Sequence, residues 1–206
     1  MTTVAIVCGY DLDSDLREYV ERVTAKIHGE HLDAVVLSGG RTHPRFTDSE
    51  AAAMAEHLAP HHCVLLDHEA MTTLDNIVFG RVLAERTFPR VERWVVCCDI
   101  AHAVKVWLLA RIILRGAVAM RVVHRRVPLH IWVREPFSIL IEVTGALIPR
   151  LRPLIRAAAA RMKGVSDKQR RSVRPATALT VVPPDPPPHT SGRGDQSALP
   201  ARAPQP

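Results

Sequence analysis

The sequence predicts an α/β fold: a parallel sheet of about five strands with helices on both faces, followed by a C-terminal helical segment and a disordered tail. Three observations carry this. Short continuous apolar runs have strand length, the stretches between them place apolar residues at helical spacing, and polar clusters end the apolar runs. Continuous apolar strands alternating with amphipathic helices imply a parallel sheet buried on both faces.

Thr3 to Cys8 is the first such run, and Leu16, Val20, Val23 and Ile27 then recur at helical spacing. Ala34 to Leu37 is the second strand, ended by Gly39-Gly40. Ser49 has the chemistry to cap a helix carrying Met54 and Leu58, because its hydroxyl accepts from an orphan backbone N–H. Val64 to Leu66 is the third strand. Leu74, Ile77 and Val78 open a helix, Trp94 to Cys98 is the fourth strand, and Ala101 to Leu114 reads as helix ended by Arg115-Gly116. Met120 to Val123 supplies a fifth strand, and Phe137 to Pro149 a helix packed on the sheet. No internal repeat is found.

Charge divides the chain. Through Pro149 it holds 16 Lys+Arg against 18 Asp+Glu, whereas Arg150 to Pro206 hold 11 against 3, so the basic balance belongs to the C-terminal part. The expected organisation is a domain over 1–149, a basic helical extension over 150–172 and a disordered Pro-rich tail over 173–206. Nine of the sixteen prolines lie from Pro175 onward, in a stretch with few apolar residues to offset chain entropy. Arg193-Gly194-Asp195 falls in that tail, where a chance tripeptide is its reading. A slightly acidic domain without a basic stripe argues against a sequence-specific nucleic-acid reader.

Cys8, Cys63, Cys97 and Cys98 sit in apolar runs and form no C-x-x-C pair, which suits buried reduced thiols in a cytoplasmic protein. The N-terminus lacks the basic start and apolar length of a signal peptide. Phe137 to Pro149 is short of the roughly 20 apolar residues that a spanning helix needs. No transmembrane segment is expected. The basic and apolar residues of 150–174 suit peripheral contact with an anionic membrane surface, or a solvated helix.

The polar clusters fall at the ends of strands, where the loops of a parallel sheet converge on a ligand crevice. Gly39-Gly40, after Ser38, either brings backbone N–H groups to an anion or forms a plain turn. Glu50 belongs to the site or complements a helix dipole. Asp67 ends the third strand and is the first candidate for catalysis or ligand orientation. Thr72 or Thr73 caps the next helix, with Asp75 complementing its dipole, or Thr73 and Asp75 reach the ligand. Asn76 ties loop backbone together or contacts ligand. His102, the second catalytic candidate, and Lys105 share a helix face. A cation beside the imidazole disfavours its protonated form, which suits a neutral base. His61-His62, His28 and His31 read as solvated surface.

Ser38-Gly39-Gly40, Ser49-Glu50-Ala51, the run Asp67 to Asn76 and His102 resemble, in order, the motifs of the YdcF/SanA/ElyC-like family, domain of unknown function family 218. The resemblance covers roughly residues 1 to 145. Asp67 and Asp75 stand where that family has glutamates, Ala70 where it has serine, and Lys105 where it has arginine. Lysine offers a point charge in place of a planar fork. The resemblance implies a Rossmann-like domain, a bacterial protein linked in some members to envelope processes, and no settled reaction.

Absent are a G-x-G-x-x-G, a Walker loop, a G-x-S-x-G elbow and a zinc-ligand spacing. The cofactor stays open between a nucleotide and an S-adenosylmethionine-like molecule, and scattered carboxylates leave a divalent metal open too. The expectation is a small anionic or nucleoside-like ligand over the strand edges, held by Ser38, Gly39, Gly40, Glu50, Thr73, Asp75, Asn76 and Lys105, with Asp67 or His102 handling a proton. The alternative is a non-catalytic sensing or scaffold module with a basic, membrane- or partner-binding tail.

Overall fold

The computed structural model describes residues 1–9, 15–43, 48–58, 63–124 and 127–164. The expectations for the tail over 173–206, for 165–172 and for His61-His62 lie outside the described residues.

Five strands form one parallel sheet: β1 (Thr3–Cys8), β2 (Ala34–Ser38), β3 (Cys63–Asp67), β4 (Arg93–Asp99) and β5 (Ala117–Val123), in the order β3-β2-β1-β4-β5. Helices α1 (Leu16–Ile27), α2 (Glu50–Ala55), α3 (Thr73–Thr87), α4 (Ala103–Ile113), α5 (Leu129–Leu147) and α6 (Arg152–Met162) alternate with or follow the strands. Alternation within each strand feeds two cores. Val4, Ile6, Val36, Leu65 and Val96 pack with α3 and α4 on one face, and Ala5, Val7, Val35, Leu37 and Val95 with α1 and α2 on the other. The continuous apolar runs are thus strands covered on both sides, as the composition demanded.

Because β1 is flanked by β2 and β4, chain direction reverses across the sheet between β1 and β4. The loops leaving those two strands diverge to opposite faces and open a crevice at the carboxyl edge. All the strand ends that carry the polar clusters lie at this edge, so Asp67 and His102 share one end of the sheet.

The α5 helix departs from expectation. It begins at Leu129, continues through Pro136, and buries Glu135 and Glu142 while exposing Phe137, Leu140 and Ile141. The segment expected to pack on the sheet packs chiefly on α3 and α4, with Ala146 and Val143 joining the core while Glu135 and Glu142 meet the buried ammonium of Lys105. Two cations of α6 and Lys163 just after it bond back to the rest of the protein: Arg152 donates to the Gly145 carbonyl (3.1 Å), Arg156 to the Glu69 carbonyl (2.6 Å) and Lys163 to the Met71 carbonyl (3.1 Å). These bonds tie α6 to α5 and to the loop after β3. Among the described residues no helix is long and apolar enough to cross a membrane.

Candidate functional site

The crevice holds a cavity of about 730 Å³. Gly9, after β1, and Asp99, ending β4, both line it, which places it at the switch point of the sheet. The N-terminus of α3 contributes Thr72, Thr73 and Asn76, the start of α4 contributes His102 and Lys105, and Arg134, Glu135, Ser138 and Glu142 come from α5.

Lys105 is 3 % exposed, and its ammonium lies 2.8 Å from Ser138 Oγ, 3.1 Å from Glu142 Oε1 and 3.3 Å from Glu135 Oε1. Expected to hold a ligand's negative charge, it is already matched by two carboxylates seven residues apart on α5, one face of the helix two turns apart. Glu142 also accepts from the Leu74 N–H (2.6 Å) at the first turn of α3, where a carboxylate meets the positive end of the helix dipole. One buried cluster therefore joins α3, α4 and α5.

His102 Nδ1 lies 3.0 Å from Glu135 Oε1. The same Glu135 oxygen lies 3.3 Å from the Lys105 ammonium, so one carboxylate is shared by the imidazole and the cation expected beside it. Burial pushes Glu135 up, but the His102 hydrogen bond and the Lys105 charge outweigh it and hold the carboxyl below its usual range. A carboxylate on Nδ1 orients the ring and leaves Nε2 for chemistry in the cavity.

The Ser38-Gly39-Gly40 turn serves the scaffold. The Gly39 N–H donates to the Asp67 carbonyl (3.0 Å) and the Gly40 N–H to the Ala70 carbonyl (2.7 Å), so neither amide is left for an anion. The Gly39 and Gly40 carbonyls accept from Ala51 N (2.9 Å) and Glu50 N (3.0 Å) at the start of α2. Ser49 caps that helix through Ala52 N (3.0 Å), as its position predicted. Glu50 is buried in the first turn of α2, accepts from the Thr42 hydroxyl and also lines the cavity.

Asp67 is 3 % exposed and lies behind the lining. It accepts from Ser38 Oγ (2.6 Å) and from the Glu69 N–H (2.9 Å), joining β2 to the loop after β3. Burial pushes its carboxyl up to about 6 against the opposing Ser38 and Glu69 hydrogen bonds. A folded-state value above the unfolded value of about 3.9 stabilises the fold at low pH, and that contribution is lost as pH rises through 6. Wild type is therefore expected to gain roughly 1 kcal/mol relative to Asp67→Asn between pH 7 and pH 5, measured by urea unfolding. Equal slopes would mean that Asp67 is as readily ionised folded as unfolded.

Thr72 is the cap of α3, its hydroxyl accepting from Asp75 N (3.1 Å), which leaves Thr73 on the cavity wall. Asp75 accepts from the Met71 N–H (3.0 Å), with Arg156 Nε 3.7 Å away, and burial raises its carboxyl despite both. Asn76, oriented with its oxygen 3.3 Å from the Gly9 N–H, places its amide near the Ser38 hydroxyl and carbonyl (3.3 and 3.2 Å). It ties the ends of β1 and β2 together while presenting itself to the cavity.

Asp99, Glu135, Ser138 and Glu142 were not among the expected site residues. Asp99 had the same signal as Asp67, an aspartate closing an apolar strand. It accepts from the Ala101 N–H (2.8 Å), which turns the chain into the helical segment that carries His102, and burial raises its carboxyl. The α5 trio had a weaker signal: two carboxylates and a serine on one face of a helix rich in apolar residues. Among the described residues no group of three or more His, Cys, Asp and Glu is placed to hold a metal ion.

The fold and site together define a class, a parallel α/β protein with a cavity of mixed polar and apolar lining at the switch point of its sheet. No protein-family model, curated protein or solved structure matches the chain.

Proposed function

We propose that this protein binds a small anionic or nucleoside-like molecule in the switch-point cavity, and that His102 exchanges a proton with it. The observation that carries this reading is the cavity itself, bounded by Gly9 from β1 and Asp99 from β4. Its volume is within the range of roughly 300–1,000 Å³ typical of small-molecule sites. Asp99, a buried carboxylate on the wall whose pKa burial raises, suits a hydrogen bond to a sugar hydroxyl, and Arg134 and Lys163 on the wall suit an anionic group. His102, oriented by Glu135, supplies an acid or base.

A thermal-shift screen against nucleotides, nucleosides, sugar phosphates and divalent ions tests this. A ligand at 100 times its dissociation constant adds about 2.7 kcal/mol to apparent stability. Asp99→Asn keeps an oxygen to accept from Ala101 N while removing the charge, and is expected to weaken the best ligand by about tenfold, a loss of about 1.4 kcal/mol. His102→Gln should abolish any turnover with binding retained. A screen without a shift, or a ligand whose affinity ignores Asp99→Asn, contradicts the reading.

Under the same reading the protein acts in the cytoplasm. The alternative, a non-catalytic sensing module with peripheral membrane contact through 150–174, draws support from Lys105, whose charge is matched internally. In the described part of that segment the exposed cations are Arg150, Arg161 and Lys163.

A further inference from the structure

The α5 helix is amphipathic in the reverse sense. Its polar side chains Glu135, Ser138 and Glu142 face the protein, while Trp132 (46 % exposed), Val133 (63 %), Phe137 (70 %), Leu140 (68 %) and Leu147 (65 %) form a stripe toward solvent. Successive offsets of one, four, three and seven residues place these five within roughly 140° of arc, on one side of the helix. Neighbouring α4 adds Val104 (61 % exposed) and Trp107 (49 %). Removing such a stripe from water is favourable, so a row of large apolar side chains on one side of a helix marks an interaction surface and not scattered exposure.

The surrounding charge selects the occupant. Between Ile100 and Gly164 the sequence has two acidic residues, Glu135 and Glu142, and both are buried. The exposed charges of α4, α5 and their continuation are Arg111, Arg115, Arg134, Arg150, Arg161 and Lys163, all basic. A two-fold pairing of α5 with a second copy would set this basic rim against itself. An anionic lipid surface satisfies both features at once, since the stripe enters the acyl boundary, the arginines meet headgroup phosphates, and tryptophan favours that interface.

We infer that α5, with the exposed edge of α4, is a membrane-docking surface that lies flat on anionic lipid. The apolar stripe belongs to α5 and α4, while three of the six rim cations, Arg150, Arg161 and Lys163, come from the segment 150–174, and the inference does not depend on the ligand reading. Because α5 also supplies Glu135, Ser138 and Glu142 to the cavity, docking would hold the site beside the bilayer.

The full-length chain is tested with vesicles of phosphatidylcholine containing phosphatidylglycerol, and with phosphatidylcholine alone. Co-sedimentation with the anionic vesicles is expected, with a blue shift of tryptophan emission from Trp107 and Trp132, and weakening by salt. Phe137→Asp with Leu140→Asp replaces two outward side chains and is expected to lower partitioning by at least about tenfold while far-UV dichroism and urea unfolding stay unchanged. Should these substitutions unfold the protein, Phe137→Ser alone is the substitute, with the same expected direction. The inference is overturned if anionic vesicles bind nothing at low salt. It is equally overturned if binding is lost with Arg150→Glu and Arg161→Glu but not with the α5 substitutions, which would place the contact in 150–174. A concentration-dependent dimer that Phe137→Asp dissociates, without vesicle binding, would assign the stripe to a second copy instead.

Discussion

Lys105→Met is expected to cost about 3–5 kcal/mol of folding stability, a large share of the roughly 5–15 kcal/mol that holds a domain together. Methionine fills a similar volume, so the cost is not a void. It comes from leaving Glu135 and Glu142 buried beside each other without their cation, and from the Ser138 hydroxyl losing a donor. The pH dependence identifies the cause. In wild type Glu135 is held below its usual range, so its contribution is present above the unfolded value and lost as pH falls through the folded one. Without the lysine charge, only the His102 pair is left to oppose burial at Glu135, so that carboxyl rises. The gap between variant and wild type should therefore be widest at pH 7 to 8 and narrow toward pH 5, as read by urea unfolding. A pH-independent loss would point to packing and not to charge.

That cluster also shows where sequence reading reached and where it stopped. The five strands were legible because burial on both faces requires unbroken apolar runs, and β1, β2 and β4 have no exposed side to break them. The edge strand β5 begins at Ala117, earlier than Met120, because an edge strand is half-buried and its pattern is weaker. The common edge of the sheet that gathers Glu50, Asp67, Asn76 and His102 followed from strand ends alone. What each residue does there did not follow, because it depends on partners distant in sequence. Lys105 and Glu142 are 37 residues apart, and Ser38 and Asn76 are 38 apart. The α5 stripe misled for a physical reason. An apolar helical face is normally buried, and periodicity gives the stripe but not the direction in which it points.

The second large effect is expected at Gly40. A β-carbon there would lie 2.4 Å from the Ala70 carbonyl oxygen and 3.1 Å from that of His68. Both contacts are backbone, and the Gly40 N–H to Ala70 carbonyl bond of 2.7 Å fixes the approach. Neither side can rotate away. Gly40→Ala is expected to cost about 2–3 kcal/mol, the upper range for forcing volume into a packed site. It should also weaken any ligand, because the loop from Ala70 to Thr73 that it displaces is a wall of the cavity. An unchanged denaturation midpoint would mean that the turn and this loop separate without cost.

The most direct test of the central claim is hydrogen exchange of the full-length protein with and without a ligand found by thermal shift. The switch-point site predicts simultaneous protection of residues 69–78, at the start of α3, and 98–106, where β4 leads into α4, because both segments line one cavity from opposite sides of the sheet reversal. Protection confined to other segments, with both of these unchanged, would place the ligand elsewhere and contradict the account.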